Sequence, residues 1–263
     1  MDINEVTCKR INRHPWELSR TNCVLAEIMP YIQTCGRNCD FVNIGAGDMF
    51  FDKQILKRMQ GHRLHAIDIG YTGEKYKYVK SNNPRISMYE RIEDARIDCF
   101  DYALMMDSLE YMEDDYEYVR MLRQKVKDGG FIFFTLPAFQ FMSSEHDRIV
   151  GNLRRYDKKS FSKLVENISG LEIVKMHYFY TSLLIVRLTQ KILNVDIDPQ
   201  HKVTTGWKFS SNSFITSIVK CLLDIDYKIN VVMSNIGVRI PGLSLLVICK
   251  CVTNKGTGKR FRL

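Results

Sequence analysis

The sequence predicts an α/β chain built on one doubly wound, mostly parallel sheet, and three observations carry that reading. The first is FVNIGAGDMFF, residues 41–51, an apolar run that enters a Gly-x-Gly turn. The second is the run HAIDIG, whose Asp68 follows Gly47 by 21 positions. The third is an unbroken alternation of strand-like and helix-like segments from residue 41 onward. In a βαβ unit of this kind, Gly45 and Gly47 let a ligand approach the backbone, and the acid closing the second strand accepts hydrogen bonds from ribose hydroxyls. The ligand expected is an adenosine derivative. Position 50 is Phe, where a dinucleotide fingerprint needs a third glycine beside the pyrophosphate, which counts against NAD and FAD. S-adenosylmethionine has no phosphate, and the two glycines with the acid suffice for it.

Taken in order, HPWELSRTNCVLAEIMPYI places Trp16, Leu18, Val24, Leu25, Ile28 and Met29 at helical spacing, a helix laid near the ligand mouth. Strand 1 spans 41–44, a helix 51–60, strand 2 64–69 and strand 3 86–89, after a connection containing Gly, Asn and Pro. Strand 4 is FDYALMM at 100–106, followed by a helix over 114–126, a DGG turn at 128–130 and the strand FIFFTLP ending at Pro137. DKKSFSKLVENISG reads as a capped helix closed by Gly170, and LEIVKMHYFY as the next strand. Residues 183–240 carry long amphipathic patterns, and LSLLVICKC supplies a final strand. The resulting fold class is a Rossmann-like doubly wound sheet with an N-terminal helix and C-terminal helical additions. Its expected division is a core of 1–180 plus 241–253, a helical substrate or cap insertion at 181–240, and a basic tail at 254–263.

The net charge of +8 is unevenly spread. Residues 90–117 hold eleven acids against Arg91 and Arg96, whereas 148–163 hold Arg148, Arg154, Arg155, Lys158, Lys159 and Lys163 against Asp157. Such a run could steer an anionic substrate or an acidic membrane surface, or form a solvated helix face. Eight cysteines form no C-x-x-C pair and no zinc-like cluster with histidine, so reduced, buried thiols in a cytosolic protein and no metal are expected. The N-terminus is charged and no run reaches the ~18 apolar residues of a membrane span. The apolar faces in FYTSLLIVRLTQKIL and TSIVKCLLDI, together with the tail KGTGKRFRL, fit either core packing or a peripheral contact with the cytoplasmic membrane face.

Four motifs, FVNIGAGD, AIDI, FDYALMMDSLEYMEDD and KDGGFIFFTLPAF, occur in an order that resembles the class I S-adenosylmethionine-dependent methyltransferases over residues 35–180. SSEHDRIVGNLRRYDKKSF is further similar to a segment of bacterial members associated with surface polysaccharide synthesis. The resemblance implies transfer of a methyl group from S-adenosylmethionine by in-line displacement, with catalysis resting on orientation and on removal of the nucleophile's proton. By motif position, it implies that Gly45, Ala46 and Gly47 line the methionine part of the cofactor and Asp68 the ribose. Ile69, Arg91, Ile92 and Glu93 would then line the adenine, and Met106 with Asp107 the sulfonium side.

The segment after Pro137 would lie over the carboxyl ends of the strands, where open sheets bind ligands. His146 has the ordinary pKa to take a proton from a sugar hydroxyl near neutrality, with Asp147 to orient it. Arg154 and Arg155 could grip a phosphate or carboxylate, with Tyr156 beside them, or could pair with the acids of 107–117. Three positions depart from the family pattern. Asn43 stands where an acid is common, Met49 with Phe50 narrows the turn, and Tyr111 replaces a histidine and is a poor base near pH 7. The expected acceptor is a small molecule or a glycan, including a lipid-linked one, methylated on oxygen. The competing readings are a catalytically silent scaffold that binds nucleosides and a nucleic-acid methyltransferase. The latter has neither an N/D-P-P-Y/F block after strand 4 nor an aromatic platform among its basic residues.

Overall fold

A computed structural model of the chain describes residues 13–72, 76–95, 97, 99–193 and 213–253. The basic tail lies outside these residues. Seven strands, β1 (Asp40–Ile44), β2 (Arg63–Ile67), β3 (Ile86–Tyr89), β4 (Phe100–Met106), β5 (Val126–Pro137), β6 (Leu171–Phe179) and β7 (Ser244–Cys251), form one sheet in the order β3-β2-β1-β4-β5-β7-β6. Strands β1 to β5 pair in parallel, and β7 runs antiparallel to both β5 and β6. Helices α1 (Pro15–Thr34), α2 (Phe50–Arg58), α3 (Tyr76–Val79), α4 (Asp115–Gln124), α5 (Glu145–Val150), α6 (Lys158–Glu166), α7 (Thr181–Ile192) and α8 (Ser213–Asn235) flank it. The doubly wound α/β architecture expected from the sequence is present.

The sheet buries both faces, which is why its strands read as continuous apolar runs. Phe41 of β1 turns toward α1, α2 and α8, where Val24, Leu25, Ile28 and Tyr227 pack with it. Its neighbour Val42 turns to the opposite face, against Val119 and Leu122 of α4 and Phe161 and Val165 of α6. Truncating a fully buried aliphatic such as Ile28 to Ala would cost about 2–5 kcal/mol. Sequential order reverses at β1, whose neighbours are β2 and β4, and the crevice at their carboxyl ends is where such sheets take ligands.

Two expectations are corrected. The DGG at 128–130 does not end a helix as a free turn, because β5 already begins at Val126, which pairs with Phe100. The glycines absorb a register shift between Phe100 and Tyr102: Gly129 has φ +86°, and a Cβ on Gly130 would stand 2.4 Å from the Asp101 carbonyl oxygen. The cysteines are unpaired among the described residues, yet Cys221 is exposed and Cys23, Cys35 and Cys99 are only half-buried.

In the segment 181–240, α8 packs on α1 and β6, placing Leu223 and Tyr227 in the same core as Phe41. Tyr227 donates to Glu27 of α1, which also accepts from Lys175 (2.6 Å) and pairs with His177 (2.8 Å). Helix α8 is therefore bonded into the flank of the sheet.

Candidate functional site

Strand β1 runs out into the glycine turn because Gly45 and Gly47 adopt φ +71° and +53°, the left-handed region that L side chains disfavour. The close approach is real at Gly45, where an added Cβ would lie 2.7 Å from Cβ of Ser108. The amides of Gly45 and Ala46 donate to the Ile67 carbonyl at 2.9 and 3.1 Å, tying the turn to β2. Asp68 completes the clasp: one carboxylate oxygen accepts from Gly47 N–H and the other from Gly70 N–H, each at 2.9 Å. Tyr71 closes it from behind, its buried hydroxyl donating to the Gly47 carbonyl at 2.9 Å.

Met49, at φ +57°, turns its side chain wholly into the core with Val24 and Leu25 of α1. Phe50 instead carries the Arg13 guanidinium on its ring face, 4.1 Å from the centroid. Asn43 donates to both carboxylate oxygens of the buried Asp52 at 2.9 Å, and burial pushes that carboxyl up to about 7. An acid at position 43 would set two carboxylates against each other.

The first turns of α1 lie across this crevice and bring charges that the motif reading did not anticipate. Arg13 pairs with Glu17 and with Asp48 of the glycine turn. Arg20 pairs with Asp107 and stacks on Trp16, 4.3 Å from the ring centroid. Asp107 itself has φ +52°, and its backbone N–H donates to the Thr135 carbonyl at 2.9 Å. Beside it, Met106 accepts a weak hydrogen bond from the Thr135 hydroxyl (3.6 Å). The Ser108 hydroxyl and one oxygen of Glu110 are buried without a hydrogen bond from the protein. Burial pushes the Glu110 carboxyl up to about 8, against the pull of Arg20 and Arg155 and with the push of Asp147. Both signs of charge therefore line the crevice next to two unsatisfied oxygens, a donor set that fits a zwitterionic amino-acid group. Arg13, Arg20, Ser108 and Glu110 were missed because their relations span distant parts of the chain. The signal available was the i, i+4 and i, i+3 spacing of Arg13, Glu17 and Arg20, with Arg13 just before α1 and the other two on it.

The expected adenine residues divide. Ile69 is 83% exposed at the rim, and Arg91 and Glu93 are exposed, but Ile92 is buried in the core with Ile67 and Val119. Ile92 therefore anchors the loop from the core side. Tyr111 ends a short 3-10 turn, Leu109–Tyr111, and is exposed.

The segment after β5 also divides. His146 lies on α5, and its side chain is outside the described residues. Asp147 is buried and fully engaged: it accepts from the Ser144 amide (2.8 Å) and hydroxyl (2.9 Å), from Asn152 (3.0 Å) and from Arg155 (2.7 Å). These donors hold its carboxyl below the usual range in spite of burial. Arg155 additionally donates to the Ala138 carbonyl at 3.3 Å, whereas Arg154 pairs with Asp115 (3.2 Å) and donates to the Glu113 carbonyl (2.8 Å). Tyr156 is buried and its hydroxyl donates to Asp115 (2.9 Å). Arg148 pairs with Glu145, so much of the basic run is neutralised locally. Arg154, Tyr156, Ser160 and Lys163 nevertheless border an open cavity of about 380 Å³ between α4 and α6. No three metal-ligating side chains come together among the described residues.

No protein-family model and no curated protein matches the sequence. Solved structures do match. A proposed sarcosine dimethylglycine methyltransferase from Galdieria sulphuraria aligns with 89% of this chain and 86% of its own at 10% identity and a TM-score of 0.56. The cyclase SpnF aligns with 94% of this chain and 86% of its own at 12% identity, again with a TM-score of 0.56. A Haemonchus contortus phosphoethanolamine N-methyltransferase 2, in complex with S-adenosyl-L-methionine, aligns with 87% of this chain and 53% of its own at 12% identity and a TM-score of 0.50. The fold is thus the Rossmann-like fold of class I methyltransferases, and SpnF demonstrates that this scaffold is not tied to one activity.

Proposed function

We propose that the chain is an S-adenosylmethionine-dependent methyltransferase acting on a small-molecule or glycan acceptor, with transfer to oxygen. The observation that carries this reading is the Asp68 clasp, which fixes a carboxylate at the mouth of a turn opened by Gly45 and Gly47. When bound, the cofactor would supply an electrophilic methyl group. In this reading Gly45, Ala46 and Gly47 hold its amino-acid part with Arg13 and Arg20, Asp68 orients the ribose, and Ile69, Arg91 and Glu93 border the base. Met106 and Asp107 face the reacting centre. The S-adenosylmethionine complex of the Haemonchus protein supports the choice of cofactor for this fold.

Little covalent work falls to the protein, so its residues position, exclude water and accept one proton. His146 and Asp107 are the proposed proton acceptors. Asp147 is proposed as a positioning residue, since its four hydrogen bonds fix α5 to Arg155. Arg154, with Lys163 at the cavity between α4 and α6, is the proposed anchor for an anionic group on the acceptor, with Arg155 and Tyr156 framing it. The segment 181–240 is proposed to bound the acceptor side. An acceptor carried on a lipid at the cytoplasmic membrane face, as in surface polysaccharide synthesis, fits the same reading.

A catalytically silent binder is the second reading, favoured by the engagement of Asp147 and by Arg20 covering Asp107. Transfer of label from methyl-labelled cofactor to cell extracts or lipid-linked glycans separates the two. Labelled acceptor supports the enzyme, whereas cofactor binding without any labelled product supports the silent binder.

A further inference from the structure

Helix α8 is apolar on two sides: Leu223 and Tyr227 enter the core, flanked by polar groups bonded to the protein, and a second apolar stripe faces outward. Asp224 pairs with Lys220 (2.5 Å) and accepts from Cys23, Asp226 accepts from the Ser182 amide and hydroxyl, and Asn230 is buried. The opposite side exposes Ile218, Leu222, Ile225, Ile229, Val232 and Ile236, a stripe at i, i+3 and i+4 spacing in which Leu222 is 61% and Ile236 67% exposed. Helix α7, bonded to α8 through Ser182 and Asp226, exposes Ile185, Leu188 and Ile192 at the same kind of spacing, with Ile192 70% exposed. A helix on the surface of a sheet ordinarily turns its apolar stripe inward, and single exposed aliphatics are scattered. Two such stripes on neighbouring helices mark a surface made to be covered.

The charges around them say by what. Residues 181–193 and 213–240 carry only two acids, Asp224 and Asp226, and both are bonded within the protein. Arg187, Lys228 and Arg239 are exposed. No helix among the described residues is long and apolar enough to cross a membrane. An apolar stripe with a basic border and no capacity to span fits a bilayer interface, where aliphatics enter the acyl boundary and cations meet lipid phosphates. A second copy of the same face would bring like charges together instead.

We infer that the outer faces of α7 and α8 seat the protein on an anionic lipid surface. This deepens the membrane side of the proposed function but does not depend on methyl transfer. Helix α7 is also joined to the segment after β5, since Lys191 donates to the carbonyls of Phe141 (2.5 Å) and Ser143 (3.2 Å). Seating α7 on lipid therefore brings the proposed acceptor side close to the membrane plane.

The test is co-sedimentation of the full chain with vesicles of phosphatidylcholine alone or with one part in three phosphatidylglycerol, across a salt titration. The wild type is expected to pellet with the anionic vesicles, less so as salt rises. The double variant Leu222→Glu, Ile229→Glu is expected to lose affinity at least about tenfold. Lys228→Glu, a single exposed change, is expected to weaken binding to the anionic vesicles only. Wild-type protein that stays in the supernatant with both vesicles at low salt overturns the inference. So does a solution dimer that the double variant splits, which would make a second copy the covering partner. Calorimetry with S-adenosylhomocysteine on the same samples keeps the two claims apart, because vesicle binding without nucleoside binding rejects the methyltransferase reading and leaves the lipid surface standing.

Discussion

Replacing Glu110 by Gln tests the electrostatics of the crevice at the residue where they are most extreme. The side chain is 2% exposed, and burial lifts its carboxyl from the ordinary 4.5 to about 8. Each pH unit of such a shift corresponds to about 1.4 kcal/mol, so the ceiling is about 5 kcal/mol. Relaxation of the surrounding dipoles leaves about 2–4 kcal/mol as the expected size. The sign follows from proton uptake: between pH 4.5 and 8 the folded chain keeps the Glu110 proton while the unfolded chain has lost it. The stabilisation is therefore complete below pH 4.5 and lost as pH rises through 8. Glutamine keeps the shape and cannot ionise. In urea unfolding from pH 5 to 9, Glu110→Gln should gain about 2–4 kcal/mol on the wild type toward the alkaline end. Asp52, also raised, slopes both proteins alike and cancels in the difference. Parallel curves would refute a buried, protonated Glu110.

Gly45→Ala should lose about 1–3 kcal/mol of stability in thermal unfolding and most nucleoside affinity in calorimetry, because its Cβ meets Ser108 at 2.7 Å in a left-handed backbone. Arg155→Ala, which deprives buried Asp147 of its cationic partner, should cost about 3–5 kcal/mol of stability, read by urea unfolding. Arg154→Ala, a more exposed pair, should cost at most about 1 kcal/mol while lowering turnover on an anionic acceptor.

The sheet was legible because strand-like and helix-like periods alternate cleanly. Strands 3 and 4 were placed at the residues they occupy, and the glycine turn and Asp68 stand at the ends of β1 and β2 as expected. Polar partnerships were not legible, since Arg13–Asp48 and Arg20–Asp107 join residues far apart in the chain through a helix whose tilt no periodicity specifies. A stripe such as that on α8 reads the same whether it faces a core or a solvent boundary. The direction is set by the other side of the helix, where Leu223 and Tyr227 enter the core and Asp226, Asp224 and Tyr227 bond to Ser182, Cys23 and Glu27. Asp147 shows the same limit from the other side: a His-Asp pair suggested proton transfer, yet a capping box at Ser144 and the reach of Arg155 claim the carboxylate.

Titration calorimetry of S-adenosylhomocysteine against the wild type and Asp68→Ala tests the central claim most directly. Saturable wild-type binding is expected, with no binding of NAD and a loss in the variant of about 1–3 kcal/mol, roughly 5- to 150-fold in Kd. Absence of wild-type binding, or equal affinity in the two proteins, would contradict the claim.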